Sequence, residues 1–259
     1  MKYFIVSDIH GNFDKLNTAL TLSGFNEETD TLVSAGDAFD RGSQNVEVLE
    51  YIMGLKHKII LWGNHEYMLK RLITGEDHFS IREYWNGTYK TIDQFSETSE
   101  AYDMNIPLGI LRDKLTDSAK LLDEYFKQSK HAIEFDDYYV CHGWLPFNDS
   151  CPITLKKNWK KIKSERIWCD ATWSDTPELI IDNALPDKPI IVGHYHADRL
   201  AFKAYNDTRK EHYKHINCRT DDTYVSEDGK VIAIDGCTAS ETGHVNVFIV
   251  EQTNLPKLY

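Results

Sequence analysis

Five short apolar segments of this chain end in the same way, and no other feature constrains the fold as strongly. Phe4-Ile5-Val6 runs into Ser7-Asp8-Ile9-His10-Gly11, and Thr31-Leu32-Val33 into Ser34-Ala35-Gly36-Asp37. Ile59-Ile60-Leu61-Trp62 precedes Gly63-Asn64-His65-Glu66, and Tyr138-Tyr139-Val140 precedes Cys141-His142-Gly143. Pro189-Ile190-Ile191-Val192 leads into Gly193-His194-Tyr195-His196. Short runs without polar alternation suit strands covered on both faces.

Between the first three runs, apolar residues recur at helical spacing. Phe13, Leu16 and Leu20 precede Gly24, and Val46, Leu49, Ile52 and Met53 precede Gly54. Strand–helix–strand alternation predicts right-handed crossovers and parallel strands, whose carboxyl ends share the edge where such sheets bind ligands. The expected fold class is α/β with a βαβαβ core. Asp8, His10, Asp37, Asn64, His142 and His194 are expected on one rim.

Further along, Met68, Leu69, Leu72 and Ile73 predict a helix after Glu66 that ends at Gly75. A polar, aromatic stretch follows at Tyr84-Trp85-Asn86-Gly87, then an amphipathic helix carrying Leu111, Leu115, Leu122 and Tyr125. Asn206 to Asp222 reads as a charged surface loop, and Lys230–Asp235 and Asn246–Val250 as two more strands. No repeat, Ser/Gly linker or charge block divides the chain, so one domain is expected over residues 1–259.

Composition removes several function classes. The formal charge of −12 repels a phosphate backbone, so no nucleic-acid partner is expected, and no apolar run is long enough to span a membrane. The apolar N-terminal run stops at Ser7, too early for a signal peptide's hydrophobic region. The five cysteines lack C-x-x-C spacing and read as reduced thiols. Together these place the expected chain in the cytoplasm.

The rim residues have a definite chemistry. Aspartate oxygens, an asparagine carbonyl and imidazole nitrogens suit divalent Mn, Fe or Zn. One ion is expected on Asp8 and His10, a second on Asn64, His142 and His194, with Asp37 between them. Such a pair activates water near neutral pH and clamps both ends of an in-line phosphoryl displacement. Two divalent ions outweigh the two anionic ligands, and at contact range this local charge prevails over the distant acidic surface. Arg41 suits bidentate recognition of phosphate oxygens. His65 adjoins the ligand Asn64, and Asp40 is the natural carboxylate to keep its imidazole protonated as a general acid.

These residues resemble the phosphoprotein phosphatase branch of the calcineurin-like metallophosphoesterases. The resemblance rests on Asp8-Ile9-His10-Gly11, Gly36-Asp37 through Asp40-Arg41-Gly42, Gly63-Asn64-His65-Glu66, Cys141-His142 and Gly193-His194. Trp85-Asn86-Gly87 and Ile167-Trp168 are similar to the bacteriophage lambda protein phosphatase type. The resemblance implies a two-layered β-sandwich flanked by helices and a dinuclear centre of manganese, iron or zinc. It also implies hydrolysis of phosphate monoesters, on a phosphorylated protein or small phosphoester, by dimetal-activated hydroxide without a phospho-enzyme. The second reading is a nucleotide or dinucleoside polyphosphate hydrolase of the diadenosine tetraphosphate type.

Two departures from the family pattern fall on the substrate side. Asp170 occupies the place of a second phosphate-binding arginine, a role that Arg166 and Arg199 do not match by motif, and Tyr195-His196 replaces the usual Thr-Pro.

Each block alone has an ordinary reading. Asp8-Ile9-His10 is by itself a capped turn, and Cys141-His142 a buried thiol beside a core histidine. Their ordered recurrence after buried strands is what makes them a site. His57, His78, His131, His212, His215 and His244 read as solvated or structural, and His196 as either a supporting residue or an exposed one. Lys156-Lys157 and Lys160-Lys161 read as a solvated helix face, and the scattered Trp and Tyr residues as core and cleft packing rather than a base-stacking platform.

Overall fold

A computed structural model describes residues 1–77, 81–96, 117–148, 153–174, 176, 184–200 and 222–259. In chain order the first elements are β1 (Lys2–Val6), α1 (Phe13–Leu22), β2 (Thr31–Ser34), α2 (Asn45–Gly54), β3 (Lys58–Ile60), α3 (Asn64–Thr74), α4 (Ile81–Asn86) and α5 (Thr88–Phe95). They continue with α6 (Asp117–Gln128), β4 (Ala132–Glu134), β5 (Tyr139–Cys141), β6 (Phe147–Asn148), β7 (Thr154–Leu155), a 3₁₀ turn (Trp159–Lys161) and α7 (Glu165–Thr172). The last are β8 (Ile190–Val192), β9 (Tyr224–Val225), β10 (Val231–Ala233), β11 (Phe248–Glu251) and β12 (Lys257–Leu258).

The strands form two main sheets, ordered β11-β1-β2-β3 and β12-β4-β5-β8-β10-β9. Within the first, β1, β2 and β3 run parallel in the register Ile5↔Val33↔Ile59; within the second, β5, β8 and β10 run parallel through Val140↔Ile191↔Ile232. The expected strands are present but do not share one sheet. The first three belong to one layer, and β5 and β8 to the other.

Strand periodicity explains the layering. Successive side chains point to opposite faces. Tyr3, Ile5 and Val33 therefore meet Ile133, Val140, Ile191 and Ile232 in a core between the sheets. Phe4, Val6 and Leu32 point the other way and pack on Leu16 and Leu20 of α1 and Val48, Leu49 and Ile52 of α2. Beyond the second sheet, Ala132, Tyr139, Cys141, Ile190 and Val192 are covered by Trp144, Trp159 and Trp168. Both faces of each sheet's central strands are thus buried, the reason their sequences lack polar alternation. The result is an α/β sandwich flanked by helices.

α3 starts at Asn64, earlier than the apolar spacing suggests, because the Glu66 carboxylate accepts the Gly63 N–H at 2.8 Å and satisfies a donor at the helix start. It ends at Gly75 in the left-handed conformation. The Tyr84–Gly87 stretch becomes the end of α4 and the turn into α5. Leu122 and Tyr125 are buried on α6, whereas Leu111 and Leu115, residues 206–221 of the expected loop, and His78, His212 and His215 lie outside the described residues.

The paired lysines near residue 160 are largely solvated as expected, Lys157, Lys160 and Lys161 being exposed, but the regular element there is short. Only a 3₁₀ turn is present, and Lys160 Nζ lies 2.8 Å from Glu134 and 5.0 Å from the centre of the Tyr139 ring. The aromatic surroundings and a carboxylate hold the ammonium against the second sheet.

Candidate metal centre

The carboxyl ends of both sheets' parallel strands deliver the expected residues to one buried place. Asp8 and His10 follow β1, Asp37 follows β2, Asn64 opens α3 after β3, His142 follows β5 and His194 follows β8. Asp8, Asp37, Asn64, His10, His65, Asp40 and His142 are all at most 2% exposed.

The turns are tight enough to force non-glycine residues into left-handed backbone. Asp8, His10, Asp37, Asp40, Arg41 and His194 have φ between 49° and 74°. Such conformations cost of order 1–3 kcal/mol each and cluster where the surrounding fold holds a functional arrangement in place. Two glycines make room for it. A Cβ on Gly36 would come within 2.7 Å of His142 Nδ1, and one on Gly193 would collide with Ser7 Oγ and Asp8 Oδ2.

Asp37 lies at the middle, and its two oxygens face different ways. Oδ1 lies 3.2 Å from His142 Nε2; Oδ2 lies 3.9 Å from His10 Nε2 and 3.7 Å from His65 Nε2. Two groups of ligand atoms sharing Asp37 result, His10–Asp37–His65 and Asp37–His142–His194, each with all atoms within 4.8 Å of one another. Asp8 Oδ1 is 3.9 Å from His10 Nε2, and the Asn64 carbonyl oxygen is 2.9 Å from His142 Nε2. His10 Nδ1 donates to the Phe39 carbonyl at 2.9 Å and His142 Nδ1 to the Ala35 carbonyl at 3.0 Å, which turns each Nε2 inward. The structure thus brings all six expected ligands together.

Electrostatics shows what kind of charge this constellation attracts. Burial pushes the Asp8 carboxyl up to about 6, His142 pulls it down, and the neighbouring Asp37 charge adds to the rise. Burial alone would lower His142, yet Asp37, Asp8 and Glu66 outweigh it and push the imidazole up to about 10. Burial would raise Asp37, but His142 and His65 hold it well below the usual carboxylate range. His194 is held down at about 3 by burial and the His142 charge, and His10 well below its ordinary value by burial and Arg41. Several carboxylates therefore share a buried site, and their combined charge favours a proton on His142. Divalent cations answer the same field, and the oxygen-and-imidazole donor set matches Mn, Fe or Zn.

Beside this group, His65 Nδ1 lies 2.7 Å from Asp40 Oδ2. Burial would lower the imidazole, but Asp37 and the bond to Asp40 raise it overall. Asp40 also accepts the hydroxyls of Thr88 and Thr91, both at 2.6 Å. Arg41 Nη2 approaches His65 Nε2 to 3.3 Å. A guanidinium only donates, so this contact requires a lone pair at the same atom where the Asp37 charge favours a proton.

Some supporting residues were not singled out from the sequence. Glu66 accepts N–H bonds from Asp37, Ala38 and Gly63, all at 2.8 Å, and so ties the loops after β2 and β3 together. Asp235 is 3% exposed, and burial and the Asp8 charge raise its carboxyl to about 7. Its signal was present: Ile234-Asp235-Gly236 repeats the pattern of an apolar strand followed by an acid and a glycine. His196 Nε2 lies 3.8 Å from Asp235, which makes His196 a neighbour of this buried acid rather than a surface group. Asp170 and Arg166 are exposed on an open cleft of about 570 Å³ that Tyr67, Lys70 and Arg71 also line. Arg41 is the arginine whose charge acts on His10, His65, His194 and Asp235.

The calcineurin-like phosphoesterase family model matches residues 1–225, and the chain belongs to that family. It is 39% identical over 105 residues to a symmetrical bis(5'-nucleosyl)-tetraphosphatase of Buchnera aphidicola, covering 40% of this chain and 36% of that protein. It is 32% identical over 148 residues to serine/threonine-protein phosphatase 2 of Salmonella typhimurium, covering 55% of this chain and 58% of that one. The match thus spans only 36 to 58% of these two curated relatives. Among solved structures, a putative diadenosine tetraphosphatase superposes with a TM-score of 0.50 at 16% identity, covering 99% of this chain and 93% of that one. The cold-active protein-tyrosine phosphatase of a psychrophilic Shewanella also gives 0.50, at 17% identity, covering 94% and 74%. These likenesses show the fold. Among the described residues no helix is long and apolar enough to cross a membrane.

Proposed function

We propose that this chain is a dinuclear metal-dependent phosphatase that transfers a phosphoryl group to water. The observation that carries the proposal is the Asp37 carboxylate, whose two oxygens face separate imidazole groups, His142 on one side and His10 on the other. That is the disposition of a bridging ligand. Asp8 and His10 would hold one ion and Asn64, His142 and His194 the other, with Asp37 shared. Two divalent ions supply water that is nucleophilic near neutral pH and neutralise charge on the phosphoryl oxygens.

The remaining steps belong to the chain's own residues. Arg41, exposed at the rim, grips phosphate oxygens and orients the phosphorus for in-line attack. His65 delivers the proton on Nε2 to the oxygen that leaves, while Asp40 holds its Nδ1–H and stabilises the imidazolium until transfer. Asp37 favours a proton at Nε2 and Arg41 opposes it, so Nε2 carries the proton when the Arg41 guanidinium turns from it to the phosphate.

The motifs favour a phosphate monoester of the phosphoserine or phosphothreonine kind. The second reading, a dinucleoside polyphosphate, is supported by the bis(5'-nucleosyl)-tetraphosphatase name of a relative and by Asp170 standing where a cation is expected. The test is phosphate release by manganese-loaded protein from phosphoserine peptides, nucleotides and diadenosine tetraphosphate at equal concentration. Turnover of none of them would end the proposal.

A further inference from the structure

Tryptophan and tyrosine side chains have large apolar bodies and are mostly withdrawn from water in a folded domain. Among the described residues, only three aromatic side chains are exposed: Tyr84 at 40%, Trp85 at 77% and Trp173 at 41%. Trp173 touches the metal-centre residue His194, and the other two lie on α4 just before Gly87, which packs against the Arg41 backbone. Trp173 caps α7, stands beside the Cys169 thiol and meets the His194 ring at 6.1 Å between centroids and 80° between planes. The indole is thus fixed edge-on against a proposed metal ligand, with part of its surface open. Trp85 lies two residues before Gly87, where an added Cβ would come within 2.8 Å of the Arg41 backbone nitrogen. Tyr84 stacks on Tyr89 at 5.1 Å and meets Trp85 edge-on at 6.3 Å, which makes a small aromatic group on the Arg41 side.

An indole held edge-on against His194 with part of its face open suits a substrate with an apolar, planar part attached to its phosphates. A phosphoserine or phosphothreonine side chain offers no such face, whereas a nucleobase does. We infer that Trp173 is a specificity-determining residue that stacks the base of a nucleoside polyphosphate, with Trp85 flanking the site from the Arg41 side. The inference rests on the phosphatase reading above and selects the nucleotide class within it. The acidic surface that argues against long nucleic acids does not oppose it, because a single nucleotide brings one base and a short phosphate chain to a local cationic centre.

The experiment compares wild type with Trp173→Ala, Trp173→Phe and Trp85→Ala, all loaded with manganese. Base–aromatic stacking is worth about 1–3 kcal/mol, equivalent to roughly 5- to 150-fold in affinity. In Trp173→Ala, KM for diadenosine tetraphosphate is expected to rise at least tenfold more than KM for a phosphoserine peptide without aromatic residues. Trp173→Phe is expected to recover most of the difference, and Trp85→Ala to show the same bias more weakly. Separately, β,γ-methylene-ATP is expected to quench wild-type tryptophan emission where inorganic tripolyphosphate does not, and Trp173→Ala to lose that response. Equal losses on both substrates, or identical emission responses to the two polyphosphates, would overturn the stacking role. The emission readout needs no turnover, so failure of the inference and failure of the phosphatase reading give different results.

Discussion

Replacing Asp40 by asparagine isolates what its charge does. The carboxylate is fully buried and accepts three hydrogen bonds, from His65 Nδ1 at 2.7 Å and from the Thr88 and Thr91 hydroxyls at 2.6 Å. Two of them, His65 and Thr88, end on Oδ2. An amide oxygen at that position keeps both, and the amide NH₂ meets Thr91, whose hydroxyl turns to accept. Bonds to an ionised acceptor contribute about 1.5–3 kcal/mol against 0.5–1.5 for neutral ones, so the fold should weaken by about 2–3 kcal/mol and survive.

The larger effect falls on His65. At an effective dielectric constant near 20, opposite unit charges about 4 Å apart attract by about 4 kcal/mol, and the imidazolium loses that attraction. Because Asp37 and Asp40 raise the imidazole, its charged form persists to higher pH in the wild type. In Asp40→Asn the proton leaves at lower pH, and the basic limb of kcat should move down with it. Loss of general-acid catalysis lowers kcat by about 10²–10⁴ for an alkyl phosphate, whose leaving oxygen needs the proton. It should cost far less for p-nitrophenyl phosphate, a good leaving group. The assay is kcat from pH 5 to 9 on both substrates for wild type, Asp40→Asn, His65→Asn and the double variant. The double variant should be no slower than His65→Asn, because the two act as one unit. Equal losses on both substrates with an unmoved basic limb would refute the argument and reduce Asp40 to an anchor for α5.

Four other outcomes are expected. Asp8→Ala and His142→Ala should lose bound manganese and activity together, measured by metal analysis of dialysed protein alongside phosphate release. Arg41→Ala should raise KM and the inhibition constant of inorganic phosphate more than it lowers kcat. Gly87→Ala should destabilise the fold by about 1–3 kcal/mol and raise KM, because the backbone there has φ of 80° and a Cβ would press on the Arg41 backbone. His131 stacks on Trp168 at 4.9 Å, and burial lowers its imidazole to about 4. The unfolded chain therefore binds that proton more readily, so stability should fall between pH 6.5 and 4 by up to about 3 kcal/mol and level off below. Urea unfolding of His131→Asn at pH 7 and 4.5 should show a smaller loss than wild type.

Sequence alone was enough to identify the residues that end buried strands and that the fold brings together. An unalternated apolar run needs cover on both faces, and Asp8, His10, Asp37, Asn64, His142 and His194 stand directly after such runs. The same pattern did not reveal that β1–β3 lie in one layer and β5 and β8 in the other, because a double-sided strand reads the same in either sheet. Nor did it show that Lys160 pairs with Glu134 and lies over the Tyr139 ring, since both stand on other strands. Glu66, Thr88 and Thr91 illustrate the same limit: the bonds of Glu66 to Asp37 and Ala38, and of both threonines to Asp40, span 25 or more positions. Local spacing sets strand, helix and turn, because those depend on near neighbours. The packing of two sheets settled which way each Asp37 oxygen faces, which acid holds His65, and which indoles remain open to solvent, because burial and charge act across space rather than along the chain.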